Sequence, residues 1–216
     1  FSSEMVKKYY KEKYIKDNIL IVVSGNFSKE KIIEKIDEYF NKLEEKKLDL
    51  IDDKIFNFKS GEMSYQKDIS QVNICISYNG KEYGNKDRIY NDIAANVIGG
   101  SMSSRLFQEI REKKGLAYSV YTYNQYYNKG GVISTYIGTN IENYKDAVKI
   151  TLNEFKKLKE KGITKFELQK AKNKYLSKIA FSMENTRSRM SILGNYFTRK
   201  GKILNIEDLK EEIKAV

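Results

Sequence analysis

The sequence predicts an α+β fold: an antiparallel-rich sheet with helices packed on one face. Three observations support this prediction. Residues 71–79 alternate between apolar and polar side chains, as a half-buried strand does. Two aromatic runs, 117–126 and 131–138, flank a short loop that ends in glycine, which is typical of a hairpin. Apolar residues recur at helical spacing in 87–98 and 141–160, so these segments are predicted to be helices that cover the sheet.

Residues 1–43 predict a helix, a strand and a second helix. Ser3 is expected to cap the first helix and Ser28 the second. The continuous apolar run 19–23 predicts a short strand that is buried on both faces. This unit is too small to hold a core of its own, so we expect it to belong to a larger domain.

The next segment, 44–55, is dominated by charged residues and is interpreted as a linker. A second alternating run, 62–68, predicts a further strand ahead of 71–79. The single cysteine, Cys75, lies in the later run and cannot form an internal disulfide. A small buried side chain is the favoured interpretation of Cys75, ahead of a reactive thiol.

Glycine and a capping motif divide the C-terminal part of the chain into helices. Gly162 is expected to end one helix, and Thr164 with Glu167 forms a capping box for the next. Further helices are predicted over 185–198 and 206–216.

Composition narrows the class of function. The chain has 216 residues and a net charge of +11, from 40 Lys and Arg against 29 Asp and Glu. A basic surplus suits a nucleic-acid partner, but most lysines alternate with glutamates on polar helix faces, so we expect no nucleic-acid binding. No run of about 18 apolar residues predicts a membrane span. The chain starts at Phe1, so the lack of a visible leader decides nothing, and a cytoplasmic location is kept as an expectation.

Histidine is absent from the whole sequence. The chain therefore cannot supply imidazole for catalysis, nor the histidine ligands that most catalytic zinc sites use. No metal ligand is assigned to this chain.

The segment 99–123 carries the strongest candidate site. A glycine pair leads into a predicted helix over 103–114, which Gly115 is expected to end in a left-handed conformation. On an α-helical wheel Arg111 falls at the margin of the apolar face, and Tyr118 opens the next strand seven residues later. A helix that ends directly before a strand can place a guanidinium and a phenol at the same end of a sheet.

Spacing alone leaves two interpretations of this pair open. In one, Arg111 forms an ion pair with Glu109 or Glu112 and Tyr118 simply packs. In the other, both side chains face a substrate, because a guanidinium and a phenol are donors of the kind that stabilise the oxyanion of peptide hydrolysis. Spacing by itself favours the ion pair.

A family resemblance changes this balance, and it rests on the stretch RLFQEIREKKGLAYSV after Gly-Gly. The stretch resembles the second half of zinc metallopeptidases of the insulinase, pitrilysin and mitochondrial processing peptidase type. In that family an arginine and a tyrosine seven residues apart reach from the second of two homologous domains into an active site built by the first. The matching residues here are Arg111 and Tyr118, so the functional interpretation is favoured.

The resemblance also implies a domain organisation. Residues 1–43 would be the C-terminal remnant of the first peptidase domain and 44–55 the linker. Residues 56–216 would be the second, Arg/Tyr-bearing domain, truncated at its C-terminus. In the family such domains face each other as a clamshell around an unfolded peptide.

The function implied is part of a zinc-dependent metalloendopeptidase that cleaves peptides or unfolded polypeptides. Zinc and its motif H-x-x-E-H would lie upstream or on a partner subunit of the same family, since this chain lacks histidine. Arg111 and Tyr118 would bind the substrate and stabilise its oxyanion, so this chain alone is expected to be inactive. A dimer is compatible with these expectations.

Tyr121 and Tyr123 are further candidates, as side chains that line a peptide-binding groove, although packing on a half-exposed strand is the more ordinary role for each. Two alternative functions also stay open. One is a non-catalytic relative, a processing-peptidase-like partner or a core subunit that serves assembly. The less favoured one is a basic nucleic-acid-binding module.

Overall fold

The computed structural model describes residues 1–46 and 56–216, which form two compact units. One unit contains 1–46 with Ala180–Leu204, and the other contains 56–179 with Asn205–Val216. The described helices are, in chain order, α1 (Ser3–Lys13), α2 (Lys29–Phe40), α3 (Arg88–Gly99), α4 (Tyr144–Lys161), α5 (Lys165–Glu184), α6 (Thr186–Lys200) and α7 (Ile206–Lys214), with a 3-10 turn at Lys16–Asn18 and a π-helix at Phe107–Glu112. The described strands are β1 (Val72–Gly80), β2 (Ala117–Tyr127) and β3 (Gly130–Thr139).

The three strands form one antiparallel sheet in the order β1-β3-β2. Ile137 of β3 lies between Ile74 of β1 and Val120 of β2, which sets the register of both ladders. A two-residue turn joins β2 to β3, with Tyr127 paired to Gly130. The predicted hairpin and the antiparallel-rich sheet are confirmed.

Helices cover one face of this sheet. Ile137 and Val120 pack in one buried cluster with Ile98 of α3, Ile110 of the π-helix and Ala147 of α4. The predicted α+β class, with helices on one face, is therefore confirmed. Gly99 at the end of α3 allows this helix to approach β2 closely, because a Cβ at position 99 would collide with the side chain and backbone of Thr122. By alternation along the strands, the other face carries polar and tyrosine side chains: Asn73, Cys75, Ser77, Tyr121, Tyr123, Ser134 and Tyr136.

The helix ends follow the local signals closely. Gly162 ends α4 with φ +69°, and Thr164 and Glu167 form the predicted capping box in front of α5. Ser28 caps α2 through the backbone N–H of Lys31, as expected. For α1 the prediction is wrong by one residue, because Ser2 rather than Ser3 accepts the capping bond.

Two predicted strands are wrong. Residues 19–23 form no strand in the described chain, and Ile21 and Val23 are 40% and 39% exposed rather than buried on both faces. Residues 62–68 form none either, with Met63 and Tyr65 both largely exposed. A strand needs a neighbour for its backbone hydrogen bonds, and the three paired strands of the described sheet include neither run.

The interpretation of Cys75 as buried is also wrong, because its side chain is exposed. Its neighbours Ile74 and Ile76 point into the helix-covered core, so alternation places Cys75 on the open face. The predicted linker, 44–55, lies mostly outside the described residues, and the predicted domain boundaries stay a prediction. No described helix is long and apolar enough to cross a membrane.

Candidate active-site face

The segment that carries Arg111 is a π-helix rather than the α-helix predicted over 103–114. Its signature is the backbone hydrogen bond that Lys113 N–H donates to the carbonyl of Gln108, five residues back, at 2.9 Å. Leu106 and Ile110 are fully buried in the core below it, as the apolar face of the wheel predicts. Short π-helical turns are rare and often mark functional sites, which makes this segment a candidate.

Tyr118 is presented by an irregularity in the sheet. Gly115 ends the π-helical segment with φ +60°, the left-handed conformation that the sequence predicts. In β2, Ala117 pairs with Thr139 and Ser119 pairs with the adjacent Gly138, so Tyr118 is the extra residue of a β-bulge. Its side chain is 80% exposed as a result.

The structure brings the two predicted residues together. The Arg111 guanidinium lies 5.4 Å from the centroid of the Tyr118 ring and 4.9 Å from that of the Phe107 ring. Glu109, one of the two alternative ion-pair partners, instead accepts a hydrogen bond of 2.5 Å from Lys113, and no described ion pair joins Arg111 to Glu112. Arg111 itself stays exposed, in cation–π contact with both rings, and no hydrogen bond or ion pair to another described residue occupies its side-chain N–H groups.

Phe107 is a third member of this group, although its place on the apolar face of the helical wheel predicts packing only. It is half-buried, packs on the core cluster and also contacts Arg111. The signal in the sequence was its spacing, since residues four apart on a helix are neighbours. Arg111, Phe107 and Tyr118 therefore form one cluster, which we call the arginine cluster.

An ion pair anchors the start of this segment. Arg105 donates two hydrogen bonds to the carboxylate of Glu167, at 2.6 and 2.8 Å, and a third to the carbonyl of Gly162 at 3.1 Å. Arg105, together with the capping bonds from Thr164, lowers the pKa of Glu167 to about 2. The charged pair ties the residues before the π-helix to the α4–α5 corner.

Tyr121 and Tyr123 lie on the open face of the sheet. Tyr121 stacks on Tyr136 at 5.0 Å between ring centroids and contacts Tyr123 at 5.9 Å. Burial, and then the neighbouring thiol of Cys75, raise the pKa of Tyr123. In the described residues no ring contact links these two tyrosines to the arginine cluster, so the structure places them on a surface next to it along β2.

A pocket opens beside Tyr118 at the end of the sheet, with a volume of about 330 Å³. It is lined by Ser70, Gln71, Gly115, Leu116, Tyr118, Gly138, Thr139, Asn140 and Asn143. No pattern in the sequence indicates this pocket, because its walls come from the residues just before β1, the bulge of β2 and the loop after β3.

The described residues do not fit a zinc centre. Within 1–46 and 56–216, no group of three His, Cys, Asp or Glu side chains is placed to hold a metal ion, and the whole chain lacks histidine. What the site offers is a set of hydrogen-bond donors, not metal ligands.

Comparison with known proteins gives the context of this site. The family model described as the peptidase M16 inactive domain matches residues 1–175. A zinc protease of Bacillus subtilis (strain 168), YmxG, is 34% identical over 217 residues, which cover 100% of this chain and 52% of that protein. A zinc protease of Rickettsia felis is 30% identical over 218 residues, again with 100% and 52% coverage. The chain thus spans about half the length of these curated relatives.

Solved structures share the fold. A protease from Helicobacter pylori superposes with a TM-score of 0.88 at 20% identity, over 100% of this chain and 54% of that one. A chain of Complex III2 from Candida albicans superposes with a TM-score of 0.83 at 18% identity, over 100% and 53%. At these identities the likeness shows the fold alone.

Proposed function

The chain belongs to the M16 peptidase family, and we propose that it is the half of a zinc metalloendopeptidase that supplies Arg111 and Tyr118 to the reaction. The observation that carries the proposal is the arginine cluster. An exposed guanidinium lies against an exposed tyrosine ring, in the stretch on which the family resemblance rests. The proposed substrates are peptides or unfolded polypeptides.

The proposed role of the two residues is to stabilise negative charge on the scissile carbonyl oxygen. Peptide hydrolysis passes through a tetrahedral oxyanion, and donors already aimed at that oxygen lower the barrier. The guanidinium offers N–H donors in a planar fork, and the phenol adds an O–H donor. Because two rings hold the Arg111 guanidinium, less conformational entropy is lost when it meets the substrate.

Zinc would come from another part of the full-length protein or from a partner subunit, since the described residues of this chain do not fit a zinc centre. The names of the relatives support zinc in the full-length protein. The metal would supply an activated water there, and this chain would bind and orient the substrate. Tyr121 and Tyr123, on the adjacent open face, are proposed to contact the extended peptide. A cytoplasmic location and the absence of nucleic-acid binding stay predictions.

The test uses the full-length protein with peptide substrates. Arg111→Ala is expected to lower kcat/KM by about 10²–10³, the typical effect of losing one oxyanion donor, and Tyr118→Phe to lower it in the same direction. Arg187→Ala, which removes an exposed arginine of α6, is the matched control and is expected to leave activity unchanged. Chelator-sensitive cleavage that survives Arg111→Ala at the wild-type rate would reject the proposal.

A second candidate is a non-catalytic member of the family that serves assembly. The match to an inactive-domain model and the fold likeness to a chain of Complex III2 favour it. It predicts a full-length protein that shows no chelator-sensitive cleavage, with or without Arg111, and that purifies with a partner of the same family.

A further inference from the structure

The pocket beside Tyr118 has an unusual lining for its position next to the arginine cluster. Besides Tyr118, its polar side chains are all amides or aliphatic hydroxyls: Ser70, Gln71, Thr139, Asn140 and Asn143. Among residues 1–46 and 56–216, no Lys, Arg, Asp or Glu side chain lines it. Its volume of about 330 Å³ lies at the lower end of the range typical of small-ligand sites, about 300–1,000 Å³.

Gln71 is positioned over the backbone of the sheet. A Cβ built on Gly138 would collide with the side-chain nitrogen of Gln71, so the amide of Gln71 occupies the space that a side chain at 138 would take. Gly138 lies on the open face, paired with Ser119 directly after the bulged Tyr118. A residue without a side chain at 138 therefore allows an amide to lie beside the bulge.

The loop after β3 supplies two more amides. Asn143 is the N-cap residue of α4, but its side chain makes no capping hydrogen bond. Its backbone N–H donates to the carbonyl oxygen and to Oδ1 of Asn140, at 3.3 and 3.0 Å. Asparagine is favoured at an N-cap because its side chain caps, so a different role for the Asn143 amide is indicated.

We propose that Gln71, Asn140 and Asn143 form a subsite that binds an uncharged polar side chain of the peptide substrate, an asparagine or glutamine above all. Each amide offers both donors and an acceptor, which is the complement of another amide. A charged substrate side chain would find no opposite charge in the pocket, and an apolar one would leave the amides without partners. The inference rests on the proposed function, because it takes Tyr118 to lie at the substrate.

The test measures a preference with the full-length protein. Peptides that are identical except for one position near the cleaved bond carry glutamine, leucine or glutamate there, and each position is scanned in turn. At one position, kcat/KM is expected to be about tenfold higher for glutamine than for leucine or glutamate, the effect of one or two satisfied hydrogen bonds. Equal values at every position would overturn the subsite.

Variants assign the preference to the pocket. The double variant Gln71→Leu, Asn143→Leu is expected to reduce the glutamine-to-leucine ratio of kcat/KM to about one. Gly138→Ala leaves the amides in the sequence but displaces Gln71, and is expected to lower the ratio in the same direction. Gln169→Leu, an exposed glutamine on α5, is the control and keeps the ratio. A ratio that survives both pocket variants would overturn the assignment.

A binding measurement separates this inference from the proposed function. Fluorescence anisotropy of the labelled peptides with the chelator-treated full-length protein reports the preference without cleavage. If no peptide is cleaved but glutamine still binds more tightly and the pocket variants abolish the difference, the subsite stands without the peptidase proposal. Cleavage with no glutamine preference supports the peptidase and rejects the subsite, and no peptide binding at all rejects the subsite.

Discussion

Two arginines in this protein lie over two aromatic rings each, near opposite ends of β2, and only one of them is exposed. Arg111 lies 4.9 and 5.4 Å from the ring centroids of Phe107 and Tyr118. Arg88 lies at nearly the same distances, 4.7 and 5.3 Å, from Tyr83 and Tyr126. The two clusters are roughly 25 Å apart along the strand.

The surroundings of the two arginines differ in charge and burial. Near Arg88 the carboxylate of Asp92 accepts hydrogen bonds from Asn124 at 2.9 Å, Tyr126 at 2.5 Å and Tyr175 at 3.0 Å. Burial is the largest single influence on the pKa of the half-buried Arg88 and acts to lower it, but Asp92, Tyr83 and Tyr175 together outweigh burial and the pKa is raised. Stacking on two rings therefore accompanies packing at Arg88, where a carboxylate balances the charge. At Arg111 no ion pair with a residue of the described chain is formed, and the guanidinium stays exposed.

The largest expected effect on stability is at the cluster of Arg88, Tyr83 and Tyr126, where Asp92 balances the charge of the arginine. Asp92→Ala removes the acceptor of three hydrogen bonds and a negative charge that favours the protonated form of the half-buried Arg88. We expect a loss of about 3 kcal/mol in the free energy of unfolding, measured by urea denaturation followed by circular dichroism. Asp37→Ala, an exposed aspartate of α2, is the control, and an equally small loss in both variants would contradict the structural role of Asp92.

The ion pair of Arg105 with Glu167 is expected to give a smaller and pH-dependent effect. The pKa of Glu167 falls from an ordinary 4.5 to about 2 on folding, so its stabilisation is complete above pH 4.5 and is lost as the pH falls toward 2. With allowance for solvent screening, we expect Glu167→Gln to cost about 1–2 kcal/mol at pH 7 and almost nothing at pH 2. Urea denaturation at both pH values measures the difference, and an equal cost at both would show that charge is not the cause.

Gly115→Ala tests the turn that lies between Arg111 and Tyr118 in the chain. The space around a Cβ at 115 is open, so the expected cost of about 1 kcal/mol comes from the backbone at φ +60° alone. Gly61→Ala is the matched control, because its surroundings are equally open and its φ is not in the left-handed region. Thermal unfolding of the two variants measures the comparison, and equal midpoints would contradict strain at Gly115.

The smallest expected effect on stability is at the exposed cluster itself. Arg111→Met and Tyr118→Phe each remove groups that face solvent, so we expect changes within about 0.5 kcal/mol in the free energy of unfolding. Together with a large loss of peptidase activity, this would show that the cluster is kept for function. A loss of stability as large as that of Asp92→Ala would instead show that Arg111 and Arg88 both serve packing.

The sequence by itself determined the elements that local chemistry controls. Alternation in 71–79 and the hairpin of β2 and β3 follow from side-chain period and turn composition. The ends at Gly115 and Gly162 follow from backbone conformations that glycine adopts freely, and the capping box at Thr164 from a hydrogen bond between near neighbours. The proximity of Arg111 and Tyr118 was expected only from the family resemblance of their stretch, because spacing by itself favoured an ion pair of Arg111 with a glutamate.

The tertiary structure alone decided what depends on residues far apart in the chain. The runs 19–23 and 62–68 have strand composition, but a strand exists only where another backbone accepts its hydrogen bonds. Tyr121 and Tyr126 read alike in the sequence, yet one lies on the open face and the other is bound to Asp92. The amide pocket joins Gln71 to Asn143 across the end of the sheet, and its shape is set by strand register, which emerges only when the strands pair.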